Sequence, residues 1–204
     1  RQLTGKLDEL TDQALKNGRN AIEDPFTSIT RHADPARNLA IARSWVKRVV
    51  QPLSHLNMGF SFAERRTRKN PIIIGYLSKD FRDHPVSHLM NRVFALHNRK
   101  EFKIHCYSYG VDDKSEYRNR IAQDCDQFVD VRNYGHADAA RRIFEDQVDI
   151  LVDLMGFTGG SRLGICALRP APVQGTYLGF PGTTGADFFD YIITDKIVTP
   201  ESQR

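Results

Sequence analysis

The chain has 204 residues, 40% of them hydrophobic and 26% charged, with a formal net charge of +4 and a pI near 9.0. This is globular composition, enough for one sizeable core or one domain plus an appendage, and it excludes a low-complexity chain. The charge suits anionic ligands such as phosphates, but the basic residues are scattered among acids, which argues against a nucleic-acid footprint.

No apolar run approaches the roughly 18 residues that span a membrane, and no signal peptide is visible. Cys106, Cys125 and Cys166 are an odd, widely spaced set without a CxxC or Cys/His pattern. That supports neither a disulfide framework nor a zinc site and points to a reducing, cytoplasmic compartment. The chain opens on Arg1 without a Met and ends within "VTPESQR", which suggests a piece of a longer protein.

Residues 1 to about 65 read as a helical lead-in. "LTGKLDELTDQAL" and "DPARNLAIARSWVKRVVQPL" carry apolar residues at helical spacing, separated by "NGRNAIEDPFTSITRHAD". Asp34 and Pro35 form an N-cap and N1 pair. "AERRTRKN", Ala63 to Asn70, is the densest basic run and reads as an exposed linker.

From Pro71 short β-runs alternate with helical patterns. "IIIGYLS" (72–78) precedes "PVSHLMNRVFALHN", "FKIHCYSYG" (102–110) precedes "SEYRNRIAQDC", and "QFVDV" (127–131) precedes "HADAARRIFEDQ". "DILVDLMG" (149–156) leads to a short helix near "SRLGICAL", then "PVQGTYLG" (172–179) and "YIITDKIV" (191–198). Several strands are apolar almost throughout, as strands buried on both faces are. The alternation therefore predicts a Rossmann-like, doubly wound parallel α/β sheet. Such sheets bind ligands at the C-terminal ends of their strands.

Three strand exits carry candidate chemistry. The first is "DFRDHPVSHLM", where Asp80 and His84 lie four apart and Pro85 stands at N1 of the next helix. A carboxylate near an imidazole can fix its tautomer, which suits acid/base work, and a helix N-terminus offers N–H groups to an anion. The plainer alternative has Asp80 and Asp83 capping and His84 exposed; Asp83 is the expected N-cap, His88 a satisfied helix residue and Arg82 a solvent one. The second exit, "GFTGGSR", brings glycine backbone, Thr158 and Arg162 toward a phosphate or polar ligand, or is simply a tight turn. The third, "LGFPGTTG", sets Gly179, Gly182 and Gly185 around Pro181, where backbone can approach a ligand closely. There is no GxSxG, His-Glu-x-x-His, Walker or dinucleotide fingerprint.

"IGYLSKDFRDHPVSHLM", "FKIHCYSYG" and "DILVDLMGFTGGSRLGICALRPAPVQGTYLGFPGTTGADFFDYIITD" closely resemble, in order, the catalytic region of the O-linked N-acetylglucosamine transferase (SPINDLY-like) family, glycosyltransferase family 41. The resemblance covers roughly Pro71 to Pro200; the lead-in resembles, more weakly, the segment joining the family's tetratricopeptide repeats to its catalytic core. It implies a GT-B enzyme of two Rossmann-like lobes that moves N-acetylglucosamine from UDP-N-acetylglucosamine to Ser or Thr hydroxyls, with inversion and without a metal. This chain would be the N-terminal lobe alone, inactive without the C-terminal lobe that supplies most donor contacts.

Position by position, the resemblance makes His84 the cleft histidine important for activity and Asp80 an acid of the same motif considered as a proton acceptor, so both are the catalytic candidates. Pro85 completes the "HP" pair. Leu178, Gly179 and Pro181 match the loop beside the sugar pocket, and Thr158 and Arg162 match the family's "GYTKGAR" loop. Three departures stand out: the loop's Lys is Gly159, the Thr after "HP" is Val86, and a linker His of the family falls on Phe26, with His32 nearby. Two other readings stay open, the first motivated by Gly159 and Val86. One is a non-catalytic binding or scaffold module of the same fold; the other is a glycosyltransferase for another UDP-sugar or acceptor.

Overall fold

A computed structural model describes residues 2–63 and 71–200. The basic run over 64–70 and the last four residues lie outside the described residues. Three helices lead in: α1 Gln2–Lys16, α2 Pro25–Arg31 and α3 Pro35–Val50, the last running into a short 3-10 turn, Gln51–Leu53. Asp34 caps α3 as expected, its carboxylate accepting the Ala36 N–H at 2.9 Å. α2 was not expected. It starts on the same Asp-Pro signal: Asp24 accepts the N–H and hydroxyl of Thr27 at 2.9 and 2.6 Å, and Pro25 is its first residue.

Six strands follow: β1 Ile72–Ser78, β2 Phe102–Ser108, β3 Gln127–Asp130, β4 Ile150–Asp153, β5 Val173–Tyr177 and β6 Tyr191–Ile193. All pair in parallel, in the order β3-β2-β1-β4-β5-β6. The chain winds outward from β1 to β3, returns across the sheet, and winds outward again from β4 to β6. The direction reverses between β1 and β4, and at such a switch point connections leaving to opposite faces open a crevice.

The intervening helices are α4 Pro85–Met90, α5 Val93–Leu96, α6 Glu116–Asp124, α7 His136–Glu145 and α8 Gly164–Ala167. The single helix expected over "PVSHLMNRVFALHN" is thus two, broken at Asn91 and Arg92. β1 is buried from Ile73 to Ser78, as a central strand with helices on both faces must be. Its side chains alternate between two cores. Ile73 and Leu77 join Tyr107, Leu151 and the Ala139, Ala140 and Ile143 face of α7, while Ile74 and Tyr76 join Val86, Met90, Phe94 and Ile121 of α4 to α6. Each fully buried Leu, Ile or Phe contributes about 1.5–3 kcal/mol, so these two layers hold the sheet rigid beneath the loops at its ends.

Candidate active site

The three motif loops leave β1, β4 and β5, neighbours in the sheet, at their C-terminal ends. They also touch. Lys79, just after β1, donates from its ammonium to the Gly159 carbonyl at 2.6 Å. Gly156, at φ +53°, meets Phe180 so closely that a Cβ there would lie 2.4 Å from the Phe180 Cβ. The β5 loop answers in kind: a Cβ on Gly179 would fall 1.9 Å from the Leu154 carbonyl oxygen. Its neighbour Leu178 holds φ +67°, a left-handed backbone that costs a non-glycine residue about 1–2 kcal/mol. The β4 and β5 exits are thus interlocked backbone to backbone.

The β1 exit is a braced loop. Phe81 is fully buried, edge-on to Phe94 at 5.8 Å and tilted against Phe128 at 6.2 Å. The buried guanidinium of Arg118 donates to the Phe81 carbonyl at 3.1 Å and to the Ser108 hydroxyl at 2.9 Å. Ser87 closes the turn by donating its hydroxyl to the Asp80 carbonyl. The segment is therefore held at Phe81, Asp80 and Ser87, while Asp83 is exposed.

His84, not Asp83, caps α4. Its φ of −159° and ψ of 147° are the extended geometry an N-cap needs, and its Nδ1 accepts the Val86 N–H at 3.3 Å. Asp83 is drawn away: its N–H donates to Asp113 at 2.7 Å, and its carboxylate pairs with His88 Nε2 at 2.6 Å. His88 also lies against the Tyr117 ring at 4.2 Å, a satisfied helix residue. Asp80 is 4% exposed; one oxygen lies 3.5 Å from His84 Nδ1 and the other accepts from Arg82 Nη2 at 3.3 Å. Arg82 is therefore half of an ion pair rather than a purely solvated side chain.

This geometry bears on chemistry. A nitrogen that accepts a backbone N–H carries a lone pair, which puts the proton of the neutral ring on Nε2. In that form His84 offers a hydrogen-bond donor to an anionic or hydroxyl oxygen. Nε2 becomes a base only when the ring turns its Nδ1 proton to Asp80, against the Val86 N–H. The Val86 N–H and the Asp80 carboxylate, both facing Nδ1, thus favour opposite tautomers.

Thr158 and Arg162 act on the β4 loop itself. The Thr158 hydroxyl donates to the Met155 carbonyl at 2.9 Å, and Arg162 donates to the Val131 and Tyr134 carbonyls at 2.9 and 2.6 Å. Beneath them Asp153, 1% exposed, accepts the N–H of Gly156 at 2.6 Å and of Met155 at 3.3 Å. Burial outweighs those bonds and pushes its pKa up to about 7. The lead-in reaches the site as well. Phe26 of α2 faces the Phe180 ring at 6.3 Å, Phe180 meets Phe157 edge-on at 5.8 Å, and Gly182 lies against Ile29. Phe26 therefore stands on the rim. His32 does not, because its Nε2 is held 3.0 Å from Asp8 of α1.

Two features lie elsewhere. A cavity of about 300 Å³ opens between Leu53, Met58, Phe60 and Leu168, at the N-terminal edge of the strands. Asp8, Glu23 and His32 are close enough to hold a metal, but Arg31 and Arg37 already pair with the same carboxylates. The group is an ion-pair latch between the lead-in helices.

A 3-2-1-4-5-6 parallel sheet with interlocked loops at its switch point defines a Rossmann-like lobe, a class of fold that takes ligands at the C-terminal ends of its strands. Residues 5–204 match glycosyl transferase family 41, and the chain belongs to that family. It is 38% identical over 184 residues to the probable UDP-N-acetylglucosamine–peptide N-acetylglucosaminyltransferase SEC of Arabidopsis thaliana, covering 86% of this chain and 19% of that protein. A Caenorhabditis elegans UDP-N-acetylglucosamine–peptide N-acetylglucosaminyltransferase is 42% identical over 128 residues, 62% of this chain and 11% of its own. Among solved structures, a lysine-to-methionine mutant of the Thermobaculum terrenum O-GlcNAc transferase superposes with a TM-score of 0.73 at 31% identity, covering 83% of this chain and 32% of that one. The chain thus spans about a fifth or less of the curated relatives named here.

Proposed function

We propose that this chain is the N-terminal catalytic lobe of an inverting protein O-glycosyltransferase that moves N-acetylglucosamine from UDP-N-acetylglucosamine to Ser or Thr hydroxyls. One observation carries the reading: three family motifs, far apart in sequence, meet at the exits of β1, β4 and β5 beside the switch point. His84 is the catalytic-site residue, presenting Nε2 to the reacting groups, with the Asp80 carboxylate facing its Nδ1. Pro85 fixes the start of α4. Leu178, Gly179 and Pro181 form the wall beside the sugar, while Thr158 and Arg162 shape the loop that meets it.

Inverting transfer needs the hydroxyl aligned opposite the departing diphosphate and that charge stabilised. The lobe described here supplies alignment and proton handling. A C-terminal lobe of the same polypeptide supplies most donor contacts, and tetratricopeptide repeats precede α1. The charge of the diphosphate is met by protein cations rather than by a metal. Tyr191, Ile192 and Ile193 of the edge strand β6, with Ile197 and Val198 beyond it, are exposed, an apolar margin suited to further chain. Among the described residues no helix is long and apolar enough to cross a membrane, and a cytoplasmic location accords with three free thiols.

The scaffold alternative rests on Gly159 and Val86. Val86 is buried with Met90 and Phe94, so what it offers the rim is its N–H, which threonine would offer equally. The test is to incubate the complete polypeptide and an acceptor protein with UDP-N-acetylglucosamine, UDP-glucose and UDP-galactose, and to read the product by mass spectrometry. One N-acetylhexosamine on Ser or Thr is the expected outcome. A different sugar would support the second alternative, and no transfer at all the scaffold.

A further inference from the structure

Three cations, Arg82, Arg162 and Lys79, stand on the β1 and β4 exits, and two of them are committed. Arg82 pairs with Asp80, and Arg162 donates into the Val131 and Tyr134 carbonyls. Lys79 differs. Its backbone is clamped at the switch point: the Tyr109 N–H donates to Ser78 O at 3.1 Å, the Leu154 N–H to Leu77 O at 3.0 Å. Gly110 packs so tightly that a Cβ would lie 1.7 Å from the Lys79 carbonyl oxygen. The side chain then crosses from the β1 exit to the β4 exit, and its ammonium rests on the Gly159 carbonyl at 2.6 Å.

The glycines of the turn make room for it. Gly160, at φ +77°, would place a Cβ 2.6 Å from Lys79 Nζ, and a Cβ on Gly159 would meet nothing within 4 Å. An ammonium has three N–H donors, and the carbonyl takes one. Among the described residues no carboxylate lies within ion-pair distance of Lys79, and the partner its ammonium holds is the Gly159 carbonyl. A surface lysine is ordinarily solvated and mobile. This one is held across the crevice where an open α/β sheet takes its ligand, with fewer rotamers to lose on binding.

We propose that Lys79 is an anion-binding residue of the active site, its ammonium holding an oxygen of the nucleoside diphosphate part of the donor. The assignment of that anion rests on the donor reading given above. Lys79 supplies from β1 the cation that the β4 loop lacks at Gly159. It brings positive charge from this lobe to the junction of the β1 and β4 exits.

The experiment measures binding of UDP, uridine and inorganic pyrophosphate to the complete polypeptide by calorimetry, for wild type, Lys79→Met, Lys79→Gln and Lys79→Arg. Loss of a charge-assisted hydrogen bond is expected to weaken UDP and pyrophosphate roughly tenfold or more in the Met variant and leave uridine within about twofold. Arg, which keeps the charge, is expected to retain most of the affinity. Gln keeps an amide donor for the turn, so its loss matches that of Met if charge is the cause; thermal unfolding checks that each variant is folded. Unchanged UDP and pyrophosphate binding overturns the proposal, as does equal weakening of UDP and uridine. Pyrophosphate bound through Lys79 by a protein that ignores UDP keeps the anion site and sinks the donor reading. Wild type that binds neither overturns both.

Discussion

Asp153 shows at the scale of one residue how the crevice trades stability for shape. Its carboxyl is buried at the end of β4 and holds the turn at Gly156 by two backbone N–H groups, yet burial pushes its pKa up to about 7. That is above the value near 3.9 of an unfolded chain, so the folded state binds more protons between the two. The stability contribution is fully present below about pH 4 and is lost as pH rises through about 7. Asp153→Asn keeps an oxygen for Gly156 and cannot ionise. It is expected to flatten the pH dependence and to raise stability near pH 8 by on the order of 2–3 kcal/mol, read from denaturant midpoints at about pH 5 and pH 8.

Residue scale is also where sequence reading was least complete. The spacing of Asp80 and His84 was visible, but the cap was not: Asp83 is the better capping residue by type, and Asp113 and His88 divert it. Lys79 carries no signal in the sequence, because a lysine after a strand is ordinary. Its meaning depends on two side-chain-free residues eighty positions away, across a turn that only the fold brings near. Arg162 looked like a ligand cation by type, and the carbonyls that occupy it come from the β3 exit.

Among the elements, the strands were the most legible. β1 was read at its observed bounds, because a run of apolar residues buried on both faces leaves no competing period. α2 was missed because seven residues are too few to show an amphipathic repeat, although Asp24-Pro25 repeats the signal that marks α3. The split between α4 and α5 was also not legible, since apolar residues continue at helical spacing through Asn91 and Arg92. What no periodicity reports is that the exit loops interlock. Gly179→Ala tests that directly. The new methyl would strike the Leu154 carbonyl, and backbone on both sides cannot yield cheaply. A loss of about 2–4 kcal/mol is expected, seen as a fall of several degrees in Tm, whereas Gly159→Ala, in open space, should shift Tm little.

For the whole molecule, the fold places the three motif loops after β1, β4 and β5 at one end of one sheet, and leaves the apolar margin at β6 exposed. The lead-in packs on the same loops, since Phe26 and Ile29 of α2 close on the β5 loop while Arg31 and His32 latch α2 to Asp8 of α1. The central claim is that this end of the sheet is the catalytic wall of a sugar transferase, with His84 at its reacting face. The measurement that tests it most directly is kcat/KM for transfer from UDP-N-acetylglucosamine by the complete polypeptide, comparing wild type with His84→Asn. Asparagine caps a helix as well as any residue, so α4 and the fold are kept while the imidazole is lost. A fall of roughly a hundredfold or more at unchanged Tm is the predicted result, the size of a lost transition-state donor. Transfer within about twofold of wild type would contradict the account.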